Sequence, residues 1–122
     1  MLRTLQIMGL FDRRKNKNSI ENYREKLQEH QRAEAGILLD MGALAYEKDD
    51  IELSLECLKK SFKIYQELVD AEKEASILDI IGDIYYQIDD TQNALKYYKE
   101  CFDLYSSMES PNKKNIYEKI VN

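Results

Sequence analysis

Gly82-Asp83-Ile84-Tyr85-Tyr86, followed by Ala94-Leu95-Lys96-Tyr97-Tyr98, has an earlier copy in the same chain. That copy is Gly42-Ala43-Leu44-Ala45-Tyr46, followed by Ser54-Leu55-Glu56-Cys57-Leu58, with Gly42 and Gly82 40 residues apart. When residues 34–65 are laid on 74–105, twelve of 32 positions are identical, and most are apolar or turn residues. Repetition at a period of 20–50 residues marks an architecture of stacked supersecondary units.

Each copy reads as two helices and a short turn. Ile77, Leu78, Ile81, Ile84 and Tyr85 recur at helical spacing. Ile88-Asp89-Asp90 forms the turn, and Ala94, Leu95, Tyr98, Cys101, Phe102 and Tyr105 mark the second helix. Asp49-Asp50 and Asp89-Asp90 fall where N-caps are needed. Glu52 and Gln92 stand three residues after the first Asp of each pair, the spacing of a capping box. These turns lack the Gly and the ligand number of a calcium loop, so capping is the preferred reading and no metal site is expected.

The pattern resembles the tetratricopeptide repeat. That family carries a bulky apolar residue, a Leu-Gly pair and a Tyr on the first helix, then a small residue and an aromatic on the second. Leu78, Ile81-Gly82, Tyr85, Ala94, Tyr98 and the small Cys101 match it in the second copy. In the first copy Leu38, Met41-Gly42 and Ser54 match, while Ala45 replaces the Tyr and Leu58 the aromatic. The usual closing Pro is absent from both, where Gln66 and Ser106 stand. The resemblance covers roughly residues 19–110. It implies an all-α fold, an α-α superhelix built as a solenoid of antiparallel helix pairs.

Composition agrees. One Pro and four Gly in 122 residues leave long helices uninterrupted. The net charge is −5, unevenly spread: Arg3, Arg13, Arg14, Lys15 and Lys17 against Asp12 give the first eighteen residues +4, leaving −9 for the rest. An acidic body disfavours nucleic-acid binding, which needs clustered Lys and Arg. Cys57 and Cys101 form no C-x-x-C pair and read as small buried hydrophobes. His30 is the sole histidine, so no His-based metal cluster or triad fits within one chain. No apolar run reaches the ~18–20 residues of a membrane span. A cytoplasmic protein is the simplest reading.

In chain order, residues 1–18 are expected to be a basic, flexible N-terminal arm. The repeat domain covers 19–110, with full repeats at about 33–68 and 71–108. Asn18 and Glu21 offer a helix start. Residues 19–29 align with the later second helices, Ser19 on Ala94, Tyr23 on Tyr98 and Leu27 on Phe102, and read as a degenerate or capping helix. One long helix over 19–47 is the alternative, since nothing between His30 and Gly36 breaks it strongly. Residues 111–122 read as a C-terminal capping helix or the start of a further repeat.

Family members usually bind partners on the concave face of the first helices. By that resemblance the partner-binding positions are Leu39, Ala43, Tyr46 and Glu47, with Gly36, in the first repeat. In the second they are Ser76, Asp79, Asp83, Tyr86 and Gln87. The expectation is an acidic, Tyr-lined groove for another protein, with a basic or amphipathic segment favoured. The Lys, Arg and Asn with which chaperone-binding members hold acidic tails are replaced here by Leu39, Ala43, Ile80 and Asp83. No Gly-rich phosphate loop, G-x-S-x-G or zinc spacing occurs, so no catalytic residue and no cofactor are expected. The alternative is a structural, self-associating repeat protein, a homodimer formed through an exposed end of the stack.

Overall fold

The computed structural model describes the chain from Leu2 to Asn122, with side chains from Ser19 onward. The basic side chains Arg13, Arg14, Lys15 and Lys17 therefore lie outside the described residues. Five helices follow one another: α1 Leu2–Glu47, α2 Ile51–Glu67, α3 Ala71–Gln87, α4 Thr91–Ser107 and α5 Lys113–Val121. Met1–Gln31 and Arg32–Asn122 form two compact units. α1 begins well before Asn18, so that residue opens no helix, and residues 19–47 belong to one helix. The reason is the lack of breakers: no Pro occurs there, and Gly36 alone costs only about 1 kcal/mol in a helix.

The unit Arg32–Asn122 holds the helix pairs. α2, α3 and α4 are each 17 residues long and are joined through three-residue connectors. Each connector is built the same way. Its middle residue is left-handed, Asp49 (φ 62°), Val69 (φ 55°) and Asp89 (φ 62°), and Glu109 (φ 53°) takes the same conformation in the longer connector after α4. The next N–H reaches back five residues, Asp50 to Ala45 at 2.8 Å, Asp70 to Tyr65 at 3.0 Å, Asp90 to Tyr85 at 2.9 Å and Ser110 to Tyr105 at 2.9 Å. This closes the outgoing helix as a Schellman motif.

The same Asp then opens the incoming helix. Asp50 accepts from the Leu53 N–H at 3.1 Å, Asp70 from Lys73 at 3.2 Å and Asp90 from Asn93 at 3.2 Å. The capping box expected from Asp49 to Glu52 and from Asp89 to Gln92 is therefore corrected. The first Asp of each pair takes the left-handed position, which Asp tolerates better than most residues, and the second Asp is the cap. Asp70 caps α3 and also accepts from Arg32 Nη1 at 2.9 Å.

Two apolar clusters fill the stack. In one, Ile77, Ile81 and Ile84 of α3 meet Ala35 of α1 and Leu58 and Tyr65 of α2. In the other, Ala75 and Leu78 of α3 meet Ala94, Tyr98, Cys101 and Tyr105 of α4 and Ile116 of α5. Small residues set the close crossings within each pair. A Cβ on Gly82 would come 2.6 Å from Tyr98 Cε1, and one on Gly42 would come 3.1 Å from Leu58 Cγ. Buried hydroxyls bond across each crossing. Ser54 Oγ donates to the Gly42 carbonyl at 2.7 Å and Ser61 Oγ to that of Ala35 at 2.8 Å. Cys101, the counterpart of Ser61 in the second repeat, places Sγ 3.1 Å from the Ala75 carbonyl. Both cysteines are buried free thiols, and burial pushes that of Cys101 up to about 12.

Candidate functional site

Residues of the first helices of the pairs meet at one lining. Between α1, α3 and α5 it encloses a cavity of about 1120 Å³. Leu58 of α2 and Tyr98 of α4, each packed on a helix-crossing glycine, supply its floor. Leu39, Ala43, Tyr46 and Glu47 line it from α1, and Asp83, Tyr86 and Gln87 from α3. Of the positions expected at the groove, Ser76, Asp79 and Gly36 stand outside this lining. Tyr46 and Tyr86, equivalent in the two repeats, both reach the cavity and are both exposed.

The third wall is α5, through Asn115, Glu118 and Lys119. The sequence reading of this segment, a capping helix or the start of a further repeat, placed none of its residues at the groove. Its signal was available in the helical spacing of Ile116 and Ile120, which dock α5 on the stack and turn Lys119 towards α3.

Lys119 changes the electrostatics of the expected acid pair. Its Nζ donates to Asp79 Oδ1 at 2.7 Å and to Asp83 Oδ1 and Oδ2 at 3.1 and 3.3 Å. It also lies 5.5 Å from the centre of the Tyr98 ring, close enough for a cation–π contact. Tyr98 Oη in turn donates to Asp83 Oδ1. Asp79 and Asp83 are therefore spoken for, and the expectation that this pair gives the groove its acidity is corrected. The free carboxylates belong to Asp40, Glu47 and Glu118, all exposed around the cavity.

The ionisation of this cluster follows from its packing. Burial raises the Asp79 carboxyl above its ordinary value, and the Lys119 hydrogen bond only partly offsets this. Burial works to lower the Lys119 ammonium, but its hydrogen bonds to the two carboxylates outweigh that and raise it. Tyr98 is raised far above an ordinary phenol, by burial first and by the bond to Asp83 second.

Among the described residues, no group of three or more His, Cys, Asp or Glu is arranged to hold a metal ion. No described helix is long and apolar enough to cross a membrane. The cavity combines an aromatic and aliphatic floor with a carboxylate rim.

Antiparallel helix pairs repeated along the chain, closed by one kind of connector and hollowed on the first-helix face, define a helical-repeat protein-binding scaffold. The tetratricopeptide repeat family model matches residues 33–107, and the chain belongs to that family. Repeats of this family mediate protein–protein interaction and are non-catalytic modules. No curated protein and no solved structure matches the chain.

Proposed function

We propose that this chain is a non-catalytic adaptor that holds a basic, amphipathic segment of another protein in the cavity between α1, α3 and α5. The observation that carries this reading is the lining itself. Leu39, Ala43, Ile80, Tyr46 and Tyr86 offer apolar surface, and Asp40, Glu47 and Glu118 ring it with negative charge. A cavity of this size takes one face of a helix or a short extended segment. Carboxylates at the rim favour a cationic partner and steer its approach more than they tighten the final complex. An acidic segment or a nucleic acid is disfavoured by the same charges.

The test is a titration by fluorescence anisotropy. The probe is a labelled amphipathic helical peptide of Leu and Lys, compared with its Leu and Glu counterpart. The Lys peptide should bind, and both Glu47→Lys/Glu118→Lys and Tyr86→Ala should weaken it at least about tenfold, or ~1.4 kcal/mol. Equal binding of both peptides, or variants that bind like wild type, would sink the reading. Asp79 and Asp83 are unsuitable for charge reversal, because Lys119 would lose its partners and α5 its anchor.

Self-association is a second reading. The observation that favours it lies on a different surface, the row of exposed apolar residues Ile37, Met41 and Leu44 on α1.

A further inference from the structure

Ile37, Met41 and Leu44 are the first-repeat counterparts of Ile77, Ile81 and Ile84, one 40-residue period earlier. On α3 these positions are 1%, 1% and 4% exposed, covered by α2. On α1 they are 60%, 46% and 51% exposed. The fold thus shows what this stripe accommodates: an antiparallel helix presenting large apolar residues.

The chain carries such a helix. Ile20, Tyr23 and Leu27 are also exposed, in a segment that aligns with the second helices of the repeats. Taken with His30 and Glu34, the series 20, 23, 27, 30, 34, 37, 41, 44 advances by three and four in strict alternation. This is the a/d spacing of a coiled coil, sustained for more than three heptads.

The series is also a palindrome. Reversed about residue 32, Ile20 falls opposite Leu44, Tyr23 opposite Met41, Leu27 opposite Ile37, and His30 opposite Glu34. Each pair joins an a to a d position, the layer pattern of an antiparallel seam. Apolar residues meet apolar ones in every outer layer. The two polar layers, related by the two-fold, each set the imidazole of one copy against the carboxylate of the other. A shift of one heptad would place His30 and Glu34 against apolar residues and leave them without partners, so the polar layers select the register.

We infer that α1 is the interface of an antiparallel homodimer with its two-fold axis at residue 32. In it, residues 20–27 of each copy cover the Ile37, Met41 and Leu44 stripe of the other. An isologous contact of this kind is self-complementary and closes on itself, so it yields a dimer and no filament. It leaves the cavity open, because none of the a and d residues lines that cavity.

Two measurements test the dimer. In sedimentation at micromolar concentration the wild type should run at twice its 14.4 kDa chain mass. Met41→Glu should weaken association by about a hundredfold or more, because it buries an unpaired charge in the seam. Its helicity should be unchanged, since position 41 is exposed in the single chain. A wild type at 14.4 kDa, or a variant that still dimerises, would overturn the inference.

Disulfide trapping under mild oxidation tests the register, with Cys57 and Cys101 silent because they are buried. Leu27→Cys copies mixed with Ile37→Cys copies should link, while neither alone should. Leu27→Cys linking to itself would mean a parallel seam. The double variant Leu27→Cys/Ile37→Cys linking within one chain would mean that the segment covers its own stripe. A dimer that resists linkage in the mixture would place the interface elsewhere. Each of these three results overturns the arrangement.

Discussion

The ring of Tyr98 packs against Gly82, so close that a Cβ at 82 would sit 2.6 Å from Cε1 and 2.7 Å from Cδ1. The contact lets α3 and α4 approach, places the Tyr98 hydroxyl on Asp83 and puts the ring under Lys119. Gly82→Ala should therefore cost about 1–3 kcal/mol by overpacking. Gly42→Ala should cost less, since its nearest neighbour is the Leu58 side chain at 3.1 Å, which has other rotamers to use. Urea unfolding of the two variants measures the difference; an equal cost would show that Tyr98 also moves aside freely.

Gly36 is a helical glycine of the opposite kind. Nothing lies within 4 Å of where its Cβ would be. Gly36→Ala should raise stability by about 0.5–1 kcal/mol, by lowering the entropy lost on folding. A higher urea midpoint at unchanged m-value is the expected record.

Val69 holds a left-handed backbone at φ 55°, while its side chain is 84% exposed. A β-branched residue there is strained, whereas Asn adopts the conformation readily. Val69→Asn removes little packing and should stabilise the connector by roughly 1 kcal/mol. The same change at Asp49 or Asp89 should do much less, since Asp already tolerates the position. Melting temperatures of the three variants compare them directly, and an equal rise at all three would contradict a strain specific to Val69.

The Lys119 cluster sets an alkaline limit. Tyr98 and Lys119 both have folded pKa values raised above 10.0 and 10.5. A raised folded pKa adds stability that is fully present below the unfolded value and is lost as pH rises through the folded one. Both groups thus withdraw stability in the same direction above about pH 10. The melting temperature of wild type should fall more steeply from about pH 10 upward than that of Tyr98→Phe/Lys119→Met. Parallel slopes would remove this cluster as the cause. Asp79, also raised, acts at the other end: the stability it adds in acid is lost as pH climbs from about 3.8 through its higher folded value.

The helix pairs were legible because their determinants are local and recur. Gly42 and Gly82, Ser54 and Ala94, and Leu58 and Tyr98 report a close crossing twice, and a 40-residue shift superimposes them. Two features were harder to read. The capping register depended on which Asp of each pair turns left-handed, and that choice shows only when Asp70 is aligned with Asp50 and Asp90 at a 20-residue spacing. The charge balance of the cavity depended on Lys119, which is 36 and 40 residues from its partners Asp83 and Asp79. No local pattern announces such a pairing. It requires knowing that α5 docks beside α3.

Since Asp50, Asp70 and Asp90 each end one helix and begin the next, the modular step of this chain is 20 residues, half its 40-residue period. A gene duplication or deletion in whole 40-residue blocks would keep every helix on its own side of the stack. A 20-residue change would preserve each connector intact yet exchange the roles of all later helices, placing second-helix residues on the cavity face. Reading frame alone thus does not protect such an array; it also has a parity, and only even numbers of steps preserve the cavity face.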